Sequence, residues 1–145
     1  MTFIRRFDHV GITVADLDTV SAFFVDLGLE ADGKMAVEGE FLDTVIGKTG
    51  ARTEIVMLRP PGGGTTLELS SFTRPDHLPG SPAAPANELG LRNVAFEVHD
   101  LQAAVDHAAV DGYRREEPLF PFHLMVASLL PPLAEQEAEY VSCSV

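Results

Sequence analysis

Positive charge, cysteine and long apolar runs are all scarce in this chain. Ten Lys and Arg stand against 22 Asp and Glu, a formal net charge of -12 over 145 residues. Affinity for a phosphate backbone comes from Lys and Arg, so a nucleic-acid partner is not expected. The acidic side chains are spread over both halves rather than gathered in a tail. They read as a solvated surface and, secondarily, as an attraction for cationic ligands. Cys143 is the single cysteine, which excludes an internal disulfide and a cysteine-based zinc cluster and suits a reducing cytoplasm. "MTFIRRFDHV" carries two arginines but no apolar stretch behind them, unlike an export signal. The longest apolar run, "LMVASLL" from Leu124 to Leu130, is too short to span a bilayer, so no membrane partner is expected. "PPGGG" leads into a strand rather than a helix N-terminus and therefore does not read as a phosphate cradle. No Ser-His-Asp order or Cys-His pair points to a nucleophile.

What is present is ample apolar material, 46% of the residues, arranged in a pattern that occurs twice. In "FDHVGITV", Val10, Ile12 and Val14 alternate with Phe7, His9, Gly11 and Thr13, the period of a half-buried strand. Asp16 then fits a helix N-cap, Leu17, Val20, Phe24 and Leu27 recur at helical spacing, and Gly28 fits the residue just past the helix end. "LRNVAFEVHDLQAAVDHAAVDGY" does the same. Val94, Phe96 and Val98 alternate, Asp100 takes the cap, Leu101, Ala104, Val105 and Ala108 form the stripe, and Gly112 closes it. Laying Val10 on Val94 also lays Val14 on Val98, Asp16-Leu17 on Asp100-Leu101, and Gly28 on Gly112. Matching caps, stripes and stops indicate a duplicated module.

Between the repeats, "GKMAVEGE" reads as a second strand and "FLDTVIG" as a short helical turn. "ARTEIVMLRP" and "TTLELSSF" read as two further strands joined at the turn-rich glycines. The expected organisation is a single domain over 1–145. Module one covers about 5–72, a proline-rich crossover about 73–89, and module two about 90–145. Past Gly112 no closing strand with a glycine turn and a glutamate is evident, so the second module reads as abbreviated or divergent. Glu139 is the residue that deletions could bring into the missing carboxylate's place, although Glu135 to Glu139 read equally as a solvated helical turn.

If the helices cover the apolar strand faces, the opposite faces carry His9 and Thr13, then Thr66, Glu68 and Ser70, then Asn93 and Glu97. Singly, each has a structural explanation: a strand histidine usually meets solvent or a hydrogen-bond partner, and a lone strand glutamate is usually the wet side of an antiparallel sheet. Together, an imidazole and a carboxylate make a ligand set suited to a divalent first-row metal. His77, His99, His107 and His123 sit in the crossover, at a helix start, within a helix and before an apolar run, and carry little functional weight.

"FDHVGITVADLDTVSAFFVDLGLE", "TTLELSSF" and "GLRNVAFEVHDLQAAVDHAAVDG" together resemble the vicinal oxygen chelate superfamily, which includes glyoxalase I, extradiol dioxygenases, methylmalonyl-CoA epimerase and the bleomycin and fosfomycin resistance proteins. The resemblance implies an α+β fold of paired strand-helix-three-strand (βαβββ) modules, whose curled mixed sheets form a cavity, in a homodimer. It implies a divalent metal (Ni, Co, Zn, Mn or Fe) held from the first and last strands of each module, with a small oxygen-rich substrate chelated through adjacent oxygens. Carried over, His9 and Glu68 match metal ligands, and Glu68 doubles as the catalytic proton carrier. Asn93 stands where the pattern has a His, and its amide oxygen is a poorer ligand. One histidine is thus left where oxygen-activating iron sites use two, which makes dioxygenase chemistry the least expected. Thr13, Met57, Ser70, Phe72 and Asn93 are the candidate substrate-binding positions. Two functions compete: a metal-assisted lyase, isomerase or epimerase, and a metal-free small-molecule binder of the bleomycin-resistance type.

Overall fold

The Asp16 carboxylate separates the first strand from the first helix. Strand β1 (His9–Thr13) ends just before it, and α1 (Leu17–Asp26) begins just after. Asp16 has an extended backbone, and its side chain accepts a hydrogen bond from the Thr19 N–H at 2.9 Å. That bond satisfies a donor the helix cannot use and sets negative charge on the positive helix end. The backbone bond from Thr19, seconded by the Thr19 hydroxyl, holds the Asp16 carboxyl below the usual range. At the other end Gly28 adopts φ 104°, a conformation that disfavours any residue with a Cβ, and Leu29 N–H returns to Phe24 O at 3.0 Å.

The coordinates are a computed structural model that describes residues 3–80, 87–91, 93–110, 124–126 and 139–144. They form two compact units, Met1–Pro79 and Gly80–Val145. In the first, the chain continues through β2 (Glu30–Glu38), α2 (Glu40–Ile46), β3 (Arg52–Arg59) and β4 (Thr66–Arg74). The second strand thus starts earlier than "GKMAVEGE" suggests. The four strands make one open mixed sheet, ordered β1-β4-β3-β2. β1 lies parallel to β4, and the other neighbours are antiparallel. The Asp43 carboxylate accepts from Gly50 N–H at 2.7 Å and Ala51 N–H at 2.9 Å, stitching α2 to the start of β3. These two bonds, Gly50's first, lower the Asp43 carboxyl.

α1 packs over β3 and β4. Val20, Phe23 and Phe24 meet Ile12, Val56, Leu58, Leu67 and Leu69 in one apolar layer, all buried, with Phe24, Leu58 and Leu69 at 0% exposure. Each such side chain contributes about 1.5–3 kcal/mol on leaving water. The Phe23 and Phe24 rings meet edge to face, with centroids 5.1 Å apart.

The second unit carries β5 (Asn93–Val98), α3 (Leu101–Val110), β6 (Leu124–Val126) and β7 (Glu139–Ser144). Asp100 repeats the cap, accepting from Ala103 N–H at 2.8 Å. The described strands form an antiparallel sheet ordered β5-β7-β6. A closing strand is therefore present where the sequence pattern shows none. It was hidden because no glycine directly precedes it in the sequence and its glutamate, Glu139, stands at the strand's start. The register sets Glu139 opposite Val98, at the far end of β5 from Asn93, whose partner is Ser144. Glu139 therefore does not take the missing carboxylate's place. Gly112, His123 and Glu135 lie outside the described residues. Among the described residues no helix is long and apolar enough to cross a membrane.

Candidate metal and ligand site on the first sheet

Burying one face of the first sheet under α1 leaves the alternate residues of each strand on the other face. The parallel register of β1 and β4 pairs His9 with Thr66, Gly11 with Glu68, and Thr13 with Ser70. The antiparallel register of β3 and β4 adds Met57 beside Glu68, Ile55 beside Ser70, and Thr53 beside Phe72. Partners in a ladder share a face. His9, Thr13, Met57, Glu68, Ser70 and Phe72 therefore occupy one surface, polar toward the β1 edge and increasingly apolar toward β3. Ile55 belongs with them, as the alternation of "RTEIVMLR" implies, and Met35 on β2, opposite Ile55 and 55% exposed, extends the apolar end. Asn93, the remaining candidate, sits on β5 in the second unit.

His9 Nε2 lies 3.9 Å from Glu68 Oε2, with side-chain exposures of 41% and 31%. The separation exceeds hydrogen-bonding range. Two donors sharing one ion at metal–ligand lengths of about 2.0–2.2 Å stand roughly 3–3.6 Å apart, so closing by a few tenths of an ångström would let one ion meet both. Gly11 leaves the ladder position beside this approach without a side chain. It is Glu68's direct neighbour in the ladder, and a Cβ built there meets nothing within 4 Å. The space in front of the carboxylate is thus open toward β1. The donor set, one imidazole and one carboxylate, fits a divalent first-row ion. Among the described residues no cluster of three or more His, Cys, Asp or Glu side chains that could hold a metal ion forms, so the pair would supply two donors only. Beside it, Thr13 Oγ1 and Ser70 Oγ are 3.4 Å apart, two hydroxyls that can each donate to or accept from a ligand oxygen.

Spacing alone does not single out Asp8, because it precedes the strand. Its Oδ2 is 3.1 Å from His9 Nδ1, and its Oδ1 is engaged by the Arg6 guanidinium. The His9 hydrogen bond, then Arg6, hold the Asp8 carboxyl below its ordinary range.

The glyoxalase/bleomycin resistance protein/dioxygenase superfamily matches residues 8–120, most of the chain. The chain belongs to this superfamily. A glyoxalase family protein from Bacillus cereus, known from its crystal structure, is 33% identical, with a TM-score of 0.70 over 77% of this chain and 74% of that one. No protein with a curated description matches. The open face of the first sheet gathers His9, Glu68 and the Thr13–Ser70 hydroxyls. The four-stranded mixed sheet with its covering helices agrees with the glyoxalase-family neighbour.

Proposed function

We propose that this protein is a metal-assisted lyase, isomerase or epimerase acting on a small oxygen-rich substrate. In this reading His9 and Glu68 are the protein donors for a divalent ion (Ni, Co, Zn, Mn or Fe). The observation that carries it is the pair itself. An imidazole nitrogen and a carboxylate oxygen, from residues 59 apart in the chain, lie 3.9 Å from each other beside a ladder position, Gly11, without a side chain. Such an ion supplies Lewis acidity to adjacent substrate oxygens. The chain's own residues do the rest. Glu68 is a partly buried carboxylate able to accept and return a proton. The Thr13 and Ser70 hydroxyls orient a ligand oxygen, and Met57 and Phe72 provide the apolar wall that keeps water from the reacting face. The metal content of protein purified without chelator, followed by titration with nickel, cobalt, zinc and manganese, tests this. Stoichiometric binding that is lost in His9→Ala supports it.

The metal-free binder of the bleomycin-resistance type is favoured by one observation: Asn93 offers an amide where the pattern has an imidazole. No binding by wild type, with strong binding created by Asn93→His, would establish this second reading and remove the first. We also propose a homodimer and a cytoplasmic location. The first sheet is open, with β1 and β2 as its outer strands among the described residues, edges that a second copy can cover, and the lone cysteine suits a reducing compartment. A monodisperse monomer by light scattering at micromolar concentration would contradict the dimer.

A further inference from the structure

We propose that Asp8 is the positioning residue that fixes the tautomer of His9, placing the ring proton on Nδ1 so that Nε2 presents its lone pair toward Glu68. The metal-binding arm of this proposal rests on the reading of His9 and Glu68 as a donor pair; the tautomer does not.

A neutral imidazole has one N–H and one lone pair, and their placement follows the partners of the two nitrogens. His9 Nδ1 is 3.1 Å from Asp8 Oδ2, within hydrogen-bonding range. Nε2 is 3.9 Å from Glu68 Oε2, outside it. A proton on Nδ1 gives one charge-assisted hydrogen bond. A proton on Nε2 gives none and turns the Nδ1 lone pair against the Asp8 carboxylate. A free histidine side chain prefers the proton on Nε2, so the carboxylate reverses the ordinary preference. It leaves two electron-pair donors, Nε2 and Oε2, facing one another, an arrangement that a cation relieves.

Asp8 is itself held in place. Its backbone carbonyl accepts from Thr66 N–H at 3.2 Å and from Thr66 Oγ1 at 3.1 Å, which docks the residue ahead of β1 onto β4. The Arg6 guanidinium takes the other carboxylate oxygen, leaving Oδ2 for the ring. Arg6, Asp8, His9 and Glu68 thus form a line from the surface to the site. A carboxylate behind a ligating histidine orients the ring and raises its basicity. In the second repeat the positions equivalent to Asp8 and His9 are Arg92 and Asn93, so the carboxylate and the imidazole it would orient are both replaced. Because Asp8 is 58% exposed on its side chain and His9 41%, the hydrogen bond contributes little to folding. Its loss is expected in the ring's chemistry rather than in the melting temperature.

Proton–nitrogen correlation spectra of ¹⁵N-imidazole-labelled protein, recorded at about pH 9 where an ordinary imidazole is neutral, read the tautomer directly. Expected is Nδ1–H for His9 in wild type, reversion to mainly Nε2–H in Asp8→Ala, and recovery in Asp8→Asn, whose amide oxygen still accepts. Metal titration of the same proteins should show Asp8→Ala weaker by about 10–100-fold, with far-ultraviolet circular dichroism unchanged. An Nε2–H tautomer in wild type, or the same tautomer in wild type and a folded Asp8→Ala, overturns the proposal. If Asp8→Ala does not fold, the wild-type tautomer decides. A tautomer that responds as expected in a protein that binds no metal would sink the donor-pair reading while leaving Asp8 its positioning role.

Discussion

β1, which carries His9, runs parallel to the last strand of its sheet, whereas β5, which carries Asn93, runs antiparallel to β7. Both units start alike, with a strand, an aspartate cap and a helix. They part afterwards. In the first unit β2, β3 and β4 follow the helix, each reversing the one before, so the last strand returns in the direction of the first. In the second, the described strands after α3 are β6 and β7, and β7 runs opposite to both β5 and β6. Direction decides chemistry here. Parallel pairing sets Thr66, Glu68 and Ser70 along His9, Gly11 and Thr13, while antiparallel pairing sets Ser144 against Asn93 and carries Glu139 to the other end. A repeated strand-helix start therefore does not give a repeated strand pairing.

The helices differ in the same sense. Phe24 of α1 is at 0% exposure; its counterpart in the repeat, Ala108 of α3, is buried at 2% but offers only a methyl group. Phe24→Ala should cost about 3–5 kcal/mol in denaturant unfolding, through lost transfer energy and the cavity left behind. Ala108→Gly should cost about 1 kcal/mol. Equal losses would show that the two helices cover equivalent cores. Next in size is the space in front of Glu68. Gly11→Leu fills it, and should weaken divalent-ion or ligand binding by at least roughly tenfold, about 1.4 kcal/mol, without lowering the melting temperature. Unchanged binding would place the ligand away from the β1 edge of the sheet.

A smaller effect should separate the α2–β3 junction from the rest of the first unit. Asp43 has its folded-state value lowered by the Gly50 and Ala51 N–H groups, so its stabilisation is present above the unfolded carboxylate value, about 3.9, and is lost as pH falls through the lower folded value. Wild type should melt several degrees above Asp43→Ala near neutral pH, with the gap closing in acid. A gap that persists undiminished below the folded value would mean the side chain acts through packing instead. The smallest change expected is at Ser21 on α1, whose buried hydroxyl has no hydrogen-bond partner among the described residues. Ser21→Ala should raise stability by about 0.5–1 kcal/mol, through helix propensity and removal of an unsatisfied group. A loss of stability would reveal a partner for that hydroxyl.

The caps, stripes and alternating faces were legible in the sequence because each is local. Asp16 and Asp100 need a helix start, Val20 and Phe24 a helix period, and His9, Gly11 and Thr13 a strand period. The His9–Glu68 pair needed one further step, the alignment of β1 with β4, which the superfamily resemblance supplied and spacing did not. The closing strand β7 was missed because "EYVSCS" lacks both an apolar alternation of useful length and a glutamate opposite Ala95, the counterpart of Gly11, where Ser142 stands instead. Asp8 was missed for a different reason. Its role depends on the distance from its carboxylate to the far side of a neighbouring ring, which no periodicity encodes.

The most direct measurement is anomalous diffraction from crystals soaked with zinc or cobalt. A peak within bonding distance of both His9 Nε2 and Glu68 Oε2 is expected, absent from His9→Ala crystals. A fully occupied ion bound elsewhere, with the His9 ring and the Glu68 carboxylate turned to separate regions of solvent, would contradict the donor pair on which the proposed chemistry depends.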